Sequence, residues 1–225
     1  MAIAFDAFSN SAQGTGNLSW THTPVGTPRG VIVGIIQVTG GPAPSDQVST
    51  VTYGGTSMTE VAGSPLAQSG GEPSMIHMFF LGASIPTGAQ TVAVTVTGAN
   101  QKIACAVTVT AGQDTSVVDT DATITSTSQA NPSATLALGG ITCFCGEVFQ
   151  SGQNDPTGIT PLTNWTARME NDFGTEQGAC YTYDTISSTD VTMGWTQSAD
   201  DACCIGIAVR ENAAPGGVRR VFVVS

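Results

Sequence analysis

Apolar and polar residues alternate with a period of two along most of this chain, and glycine and proline interrupt the alternation at short intervals. Successive side chains of a strand point to opposite faces, so the pattern predicts sheets with one covered and one wet face. It is clearest in Thr91 to Thr97, where Val92, Val94 and Val96 share a face, and in Ile103 to Val109, where Ile103, Cys105, Val107 and Val109 do. With Gly98 to Lys102 between them, the two runs read as a hairpin. Val48 to Val61 reads as another, with β-branched residues on either side of Gly54-Gly55, because glycine takes positive φ without a Cβ penalty. A further strand follows this Gly-Gly pair, so it marks a turn and not a phosphate-binding loop ahead of a helix.

Val31 to Val38 and Met75 to Leu81 are apolar on both faces and too short for an ordinary helix, which predicts central strands covered on both sides. Val117 to Thr127 is more polar and reads as an edge strand. Thr135 to Leu138 and Ile141 to Phe149 flank Gly139-Gly140 and read as a further pair or one bulged strand. Ser151 to Thr166 is weakly patterned and reads as a surface loop, after which Ala179 to Thr185, Val191 to Thr196 and Cys203 to Arg210 resume the alternation. About a dozen strands with no helix in the crossovers predict an all-β fold, an antiparallel two-sheet β-sandwich of jelly-roll-like form, over residues 1–211.

Residues 212–225 differ from the rest. Asn212 to Gly217 is a linker, and Val218, Arg219, Arg220, Val221, Phe222, Val223 and Val224 form a strand pattern with a basic pair at its start. A terminal strand behind a joint completes its own sheet or adds to the edge of another molecule. Six Lys plus Arg against 17 Asp plus Glu give a net charge of −11, so this segment is a basic spot on an acidic chain and is expected to be a partner-binding arm. The same charge argues against nucleic acid and membrane lipid as partners. Only 10% of residues are charged, so part of the surface is expected to meet neighbours.

No apolar run reaches the length of a membrane span, and Met-Ala-Ile-Ala-Phe-Asp lacks the features of a signal peptide, so folding in a cytoplasm is expected. Cys105, Cys143, Cys145, Cys180, Cys203 and Cys204 lie in apolar runs without zinc-knuckle spacing. They are expected to be reduced, buried small hydrophobes, with a cross-strand disulfide as the rival. Period two puts Cys143 and Cys145 on one face, and Cys203 and Cys204 on opposite faces.

Chemistry-bearing patterns are scarce. His22 and His77 sit in separate strands and read as structural residues, and no nucleophile elbow, His-Glu-x-x-His or phosphate-loop pattern occurs, so no catalytic residue and no cofactor is assigned. Carboxylates pair in sequence at Asp119 with Asp121, Glu170 with Asp172, and Asp200 with Asp201. Asp119 and Asp121 share a strand face and are the one calcium candidate, set against the plainer reading of a charged edge that blocks sheet pairing. Trp165, between Asn164 and Arg168, is the candidate stacking platform for a glycan, while Trp20 and Trp195 read as core.

Phe5-Asp6, Leu18-Ser-Trp-Thr-His22, the Val48 to Thr59 hairpin, Pro86-Thr-Gly-Ala-Gln-Thr-Val-Ala-Val-Thr-Val96 and Ile205-Gly-Ile-Ala-Val-Arg210 together resemble a β-sandwich domain of tailed-bacteriophage virion proteins, also seen as repeats in bacterial surface proteins. The resemblance covers residues 3–211 and carries no catalytic residues. It implies a non-enzymatic structural protein that decorates or cements the outside of a bacteriophage capsid in the virion, after assembly in the host cytoplasm. Its expected partners are the major capsid protein, other virion proteins and copies of itself, reached through the arm at 212–225. The alternatives are a glycan-binding adhesion module of a phage tail or head fibre, using Trp165, and an extracellular filament subunit joined by strand donation from Val218 to Val224.

Overall fold

A computed structural model describes residues 3–38, 45–68, 74–117, 122–152, 159–174 and 176–211, and among them all pairing is antiparallel. The fold is all-β. Residues up to Thr110 form β1 (Ala4–Asn10), β2 (Leu18–His22), β3 (Gly30–Val38), β4 (Val48–Tyr53), β5 (Thr56–Ser57), β6 (Thr59–Glu60), β7 (Leu66–Ala67), β8 (Ser74–Leu81), β9 (Gln90–Val96) and β10 (Gln101–Thr110). The remainder forms β11 (Gly112–Val117), β12 (Thr123–Gln129), β13 (Ser133–Leu136), β14 (Cys143–Ser151), β15 (Thr160–Pro161), β16 (Trp165–Asp172), β17 (Gln177–Ser187), β18 (Val191–Thr196) and β19 (Asp200–Glu211).

These strands make four sheets where two were expected. Sheet I has the order β1-β10-β3-β8-β6 with β7 also on β8, and sheet II the order β2-β9-β4-β5. Sheet III has the order β11-β19-β14-β17-β16 with β12 also on β19, and sheet IV the order β13-β18-β15. Three apolar clusters separate them. Val31, Val33 and Ile35 of β3 pack toward Val51, Val92 and Val94 of sheet II. Ile32 and Ile36, on the opposite face of β3, pack toward Val148 and Ile205 of sheet III. The far face of sheet III, with Phe149 and Cys204, meets Leu136, Met193 and Trp195 of sheet IV. The stack therefore runs II, I, III, IV, and β3, β10, β14 and β19 are buried on both faces because two layers cover each of them.

The chain is two consecutive halves of matching connectivity. In each half the first strand pairs with the last, the last with the long central strand, and the central strand with the one before the outer return: β1-β10-β3-β8 in one, β11-β19-β14-β17 in the other. The rung Cys105–Gly34–Met78 of sheet I matches the rung Ile205–Val148–Cys180 of sheet III. Between the halves β14 packs on both β3 and β8, and β19 packs on β8 while β17 is bonded to β10 through its cysteine. This exchange of β8 and β10 against β19 and β17 is the arrangement a two-fold axis along the central strands produces.

The expected hairpin of Thr91 to Val109 is not a hairpin, and Thr135 to Leu138 and Ile141 to Phe149 form neither a pair nor one bulged strand. β9 belongs to sheet II and β10 to sheet I, and β13 belongs to sheet IV and β14 to sheet III. Alternation records which face of a strand is covered, and that is the same whether its neighbour in sequence pairs with it or crosses to the facing sheet. The Gly54-Gly55 turn does join β4 to β5, with φ of 56° and 80°, after which the chain passes into sheet I as β6.

Cys143, Cys145, Cys203 and Cys204 are buried free thiols, and Cys143 and Cys145 share a cluster while Cys203 and Cys204 lie in different ones. Cys105 and Cys180 depart from the reduced reading. They form a disulfide from β10 to β17 through the central cluster, joining residues 75 apart in sequence and one half of the chain to the other.

Candidate functional site

Polar side chains enter the interior where sheets end, and the best-ordered group links β1 and β10 of sheet I to β2 of sheet II. Trp20 Nε1–H donates to Ser9 Oγ at 2.9 Å, and Thr108 Oγ1–H donates to Asp6 Oδ2 at 2.9 Å. His22, fully buried, lies between them, with Nδ1 2.8 Å from Ser9 Oγ and Nε2 3.1 Å from Thr108 Oγ1. The Thr108 proton is committed to Asp6, so His22 carries its own proton on Nε2 and accepts from Ser9 on Nδ1. Burial holds the His22 imidazole below its usual range, against the pull of Asp6, which keeps it neutral. Every bond in the relay points from Trp20 toward the Asp6 carboxylate, whose Oδ1 also accepts from the Gly26 N–H at 2.6 Å. Geometrically the relay fastens an edge strand of sheet I to an edge strand of sheet II.

A second group closes the seam between the halves. Ser74 Oγ and Gln150 Nε2 donate to Glu176 Oε2 at 3.1 and 2.7 Å, and Gln68 Nε2 donates to the Gly152 carbonyl at 2.8 Å. On the opposite edge the Arg168 guanidinium lies 3.7 Å from the Phe5 ring centroid while its Nη2 is bidentate to Asp184 at 2.6 and 2.7 Å. Deep between sheets III and IV, Glu147 accepts from the Gly194 N–H at 2.8 Å, and its Oε1 has no protein partner. Burial pushes its carboxyl up to about 8, and it raises the already buried Cys145 and Cys204 thiols further. Thiols held so high are inert at neutral pH. Beside the disulfide is a cavity of about 10 Å³ lined by Gly34, Met78 and Val148, room for no ligand larger than water.

The structure places the sequence-derived candidates as follows. Trp165 is not an exposed platform at the end of a loop: it begins β16, is 5% exposed, donates its indole N–H to the Thr192 carbonyl at 2.8 Å and meets Tyr183 edge-on. The cross-strand ladder to β17 turns its ring inward, so it has no free face for a sugar. Glu170 accepts from the Tyr181 hydroxyl at 3.0 Å, and Asp172 from the Gly174 N–H at 2.6 Å. Asp201 is buried and accepts from the Ser128 N–H at 2.6 Å, at the irregular end of β12 where its register with β19 shifts. These carboxylates order turns and neighbouring strands and do not face one another across a cleft. Asp119, Asp121 and the segment Val218 to Val224 lie outside the described residues. Among the described residues no three His, Cys, Asp or Glu side chains gather as a metal would require. The relay residues Ser9, Thr108 and Asp6 carry no motif; their one sequence signal is a polar residue at an inward position, as Thr108 is within β10.

The described residues end at Glu211, whose N–H donates to the Thr142 carbonyl at 2.8 Å. Gly30 at the start of β3 lies beside Val209, so the loop leading into β3 is at the same end of the molecule. That loop holds Val25, 87% exposed and the most exposed large hydrophobic residue described. One end of this all-β stack of antiparallel sheets thus carries both an exposed apolar residue, Val25, and Glu211, the last described residue. Comparison of the chain with family models, with curated proteins and with solved structures finds no match.

Proposed function

We propose that this chain is a non-enzymatic structural protein of a bacteriophage particle, decorating or cementing the outside of the capsid, with residues 3–211 as a rigid body and 212–225 as its docking arm. The observation that carries the reading is the strand order. Sheets β1-β10-β3-β8 and β2-β9-β4-β5 support a jelly roll in the first half, and β11-β19-β14-β17 with β13-β18-β15 support a second in tandem. Jelly rolls, in which two sheets pack face to face into a stiff block, recur in viral capsid and lectin domains. The phage-domain resemblance points the same way. The halves are locked by an apolar cluster, a disulfide and polar bonds at both edges, as suits a building block.

Docking through 212–225 follows from charge. Arg219 and Arg220 are two of six basic residues on a chain of net charge −11, and they follow the last described residue in sequence. The test is co-sedimentation of the purified chain, with and without residues 213–225, against phage heads stripped of their outer proteins. The full chain is expected to pellet, the shortened chain to stay in solution, and binding to fall as salt rises. Equal pelleting of both forms rejects the arm, and failure of both to pellet rejects the capsid reading.

A further inference from the structure

The face of sheet I that turns to sheet II is apolar at Val31, Val33 and Ile35 of β3 and at Phe79 and Leu81 of β8, and it becomes polar toward one end. There His77 pairs with Ile35 and Gln37 with Met75, so His77 and Gln37 share this face at diagonal positions of neighbouring strands. Both are fully buried. Each also reaches the stretch that leads into β4: Gln37 Nε2 donates to the Ser45 carbonyl at 2.8 Å, and His77 Nε2 lies 3.8 Å from Asp46 Oδ1. A carbonyl only accepts, so the Gln37 amide is fixed with its nitrogen on Ser45, and its Oε1 has no partner among the described residues. The His77 tautomer is fixed from the other side of the ring. Nδ1 is 3.2 Å from Glu60 Oε1, a carboxylate oxygen that accepts, so Nδ1 carries the proton and Nε2 presents a lone pair. Nε2 has no hydrogen-bond partner among the described residues either. Glu60 is itself held, since its Oε1 accepts from Ser64 Oγ at 2.7 Å, and that hydroxyl accepts from the Met78 N–H at 3.0 Å.

Two acceptors therefore face each other, an imidazole nitrogen and a carboxylate oxygen. We propose that His77 Nε2 and Asp46 Oδ1 bind a divalent metal ion of the zinc class, with Gln37 Oε1 placed to supply a further oxygen and solvent completing the sphere. The separation decides the occupant. Zinc sits about 2.0–2.2 Å from nitrogen and oxygen ligands, so an ion bound to atoms 3.8 Å apart subtends about 130°. A shift of about 0.4 Å closes that to the tetrahedral angle, and Asp46, whose side chain is 43% exposed, can make it. A direct N–H to oxygen bond reaches only about 3.2 Å, and a water bonded to both atoms at about 2.8 Å would be bent to about 85°. The imidazole selects against calcium and magnesium, which take oxygen ligands. Glu60 lies on the far side of the ring and is not a ligand. It is the outer carboxylate that orients a metal-binding histidine and raises its basicity. The ion would tie β8 of sheet I to the entry of β4 in sheet II, and it does not depend on the arm at 212–225.

The test is titration of the full chain with Zn²⁺, after chelator has been added and dialysed away, followed by ¹H–¹⁵N correlation through the imidazole rings. The chain has two histidines, so the readout is specific to the site. The His77 ring resonances are expected to move with zinc and those of His22, both of whose nitrogens are engaged by Ser9 and Thr108, to stay. Asp46→Asn keeps an oxygen for the Val48 N–H and should weaken zinc binding about tenfold or more, and Glu60→Gln should weaken it about tenfold. Asp172→Asn removes the same charge at the end of β16 in sheet III and should bind as wild type does. A His77 ring that does not respond to excess zinc overturns the proposal, as does an Asp46→Asn protein that binds as tightly as wild type. Ring resonances that follow pH and not zinc also overturn it, and assign the gap to a proton shared by His77 and Asp46.

Discussion

Gly34 of β3 and Val148 of β14 meet at the centre of the molecule: a Cβ on Gly34 would lie 3.1 Å from the Val148 Cβ and 3.1 Å from the Cys180 Sγ. Both residues sit in the middle of matching rungs, so the two halves approach closely here. Neither neighbour can yield, since one atom is attached directly to backbone and the other is in the disulfide. Gly34→Ala is therefore expected to lower unfolding free energy by about 1–3 kcal/mol through overpacking. Gly146→Ala, on the same face of β14, meets Ile32 Cδ1 at 3.5 Å, an ordinary contact, and should be neutral or stabilising by up to about 1 kcal/mol. Urea unfolding of the two variants checks the contrast. Equal effects would mean that the halves do not close at Gly34.

The Cys105–Cys180 bridge closes a loop of 75 residues that begins in one half and ends in the other. Cross-linking over such a length removes entropy from the unfolded chain worth about 4 kcal/mol in the chain-entropy account. Cys105→Ala with Cys180→Ala should lower Tm markedly under oxidising conditions. The difference should vanish when wild type is fully reduced, because the remaining four thiols are unbridged in both proteins. A wild-type Tm that does not respond to reductant would show that the two sulfurs are not bonded.

Trp165 tests burial against binding. Its ring packs in the cluster between sheets III and IV, and its indole N–H is bonded to the Thr192 carbonyl across that gap. Trp165→Ala should cost about 3–5 kcal/mol, the usual cost of deleting a buried aromatic. Trp165→Phe keeps most of the packing and loses the hydrogen bond, so it should cost less. Thermal unfolding of both variants gives the answer. A Trp165→Ala protein that melts like wild type would return the residue to the surface.

How much of this was legible in the sequence depended on what a period-two pattern encodes. Val31 to Val38 is apolar on both faces and is the central strand β3, and Cys203 and Cys204 point into different clusters as their parity requires. Parity says which face is covered and nothing about which strand lies alongside. Val92 and Ile103 thus sit in facing sheets, although their runs looked like the two arms of a hairpin. The duplication was hidden for a related reason: the inward residues that fill the outer clusters differ in size between the halves, and only strand pairing exposes the match of Cys105 with Ile205. Trp165 misled because its polar flanks suggested a loop, while Asn164 takes the turn with φ of 70° and the strand begins directly after it. Glu147 carried no sequence signal, since a single acid within Cys143 to Ser151 looks like any solvent-facing position of a strand.

That glutamate makes stability depend on pH in a direction that can be worked out. Burial raises the Glu147 carboxyl from 4.5 to about 8, so in the folded protein it keeps its proton across a range where the unfolded chain has lost it. The folded state then binds more protons than the unfolded one between pH 4.5 and 8, and unfolding free energy falls as pH rises through that window. The contribution is complete below the unfolded value and gone above the folded one, and its size is on the order of a few kcal/mol. Glu147→Gln is neutral at every pH, keeps an oxygen for the Gly194 N–H and places an amide where the second carboxyl oxygen has no partner. The variant should match wild type near pH 5 and exceed it in stability near pH 8. Denaturant titrations of both proteins at a series of pH values measure the difference directly, and parallel curves across the window would mean that Glu147 is solvated and not sealed between sheets III and IV.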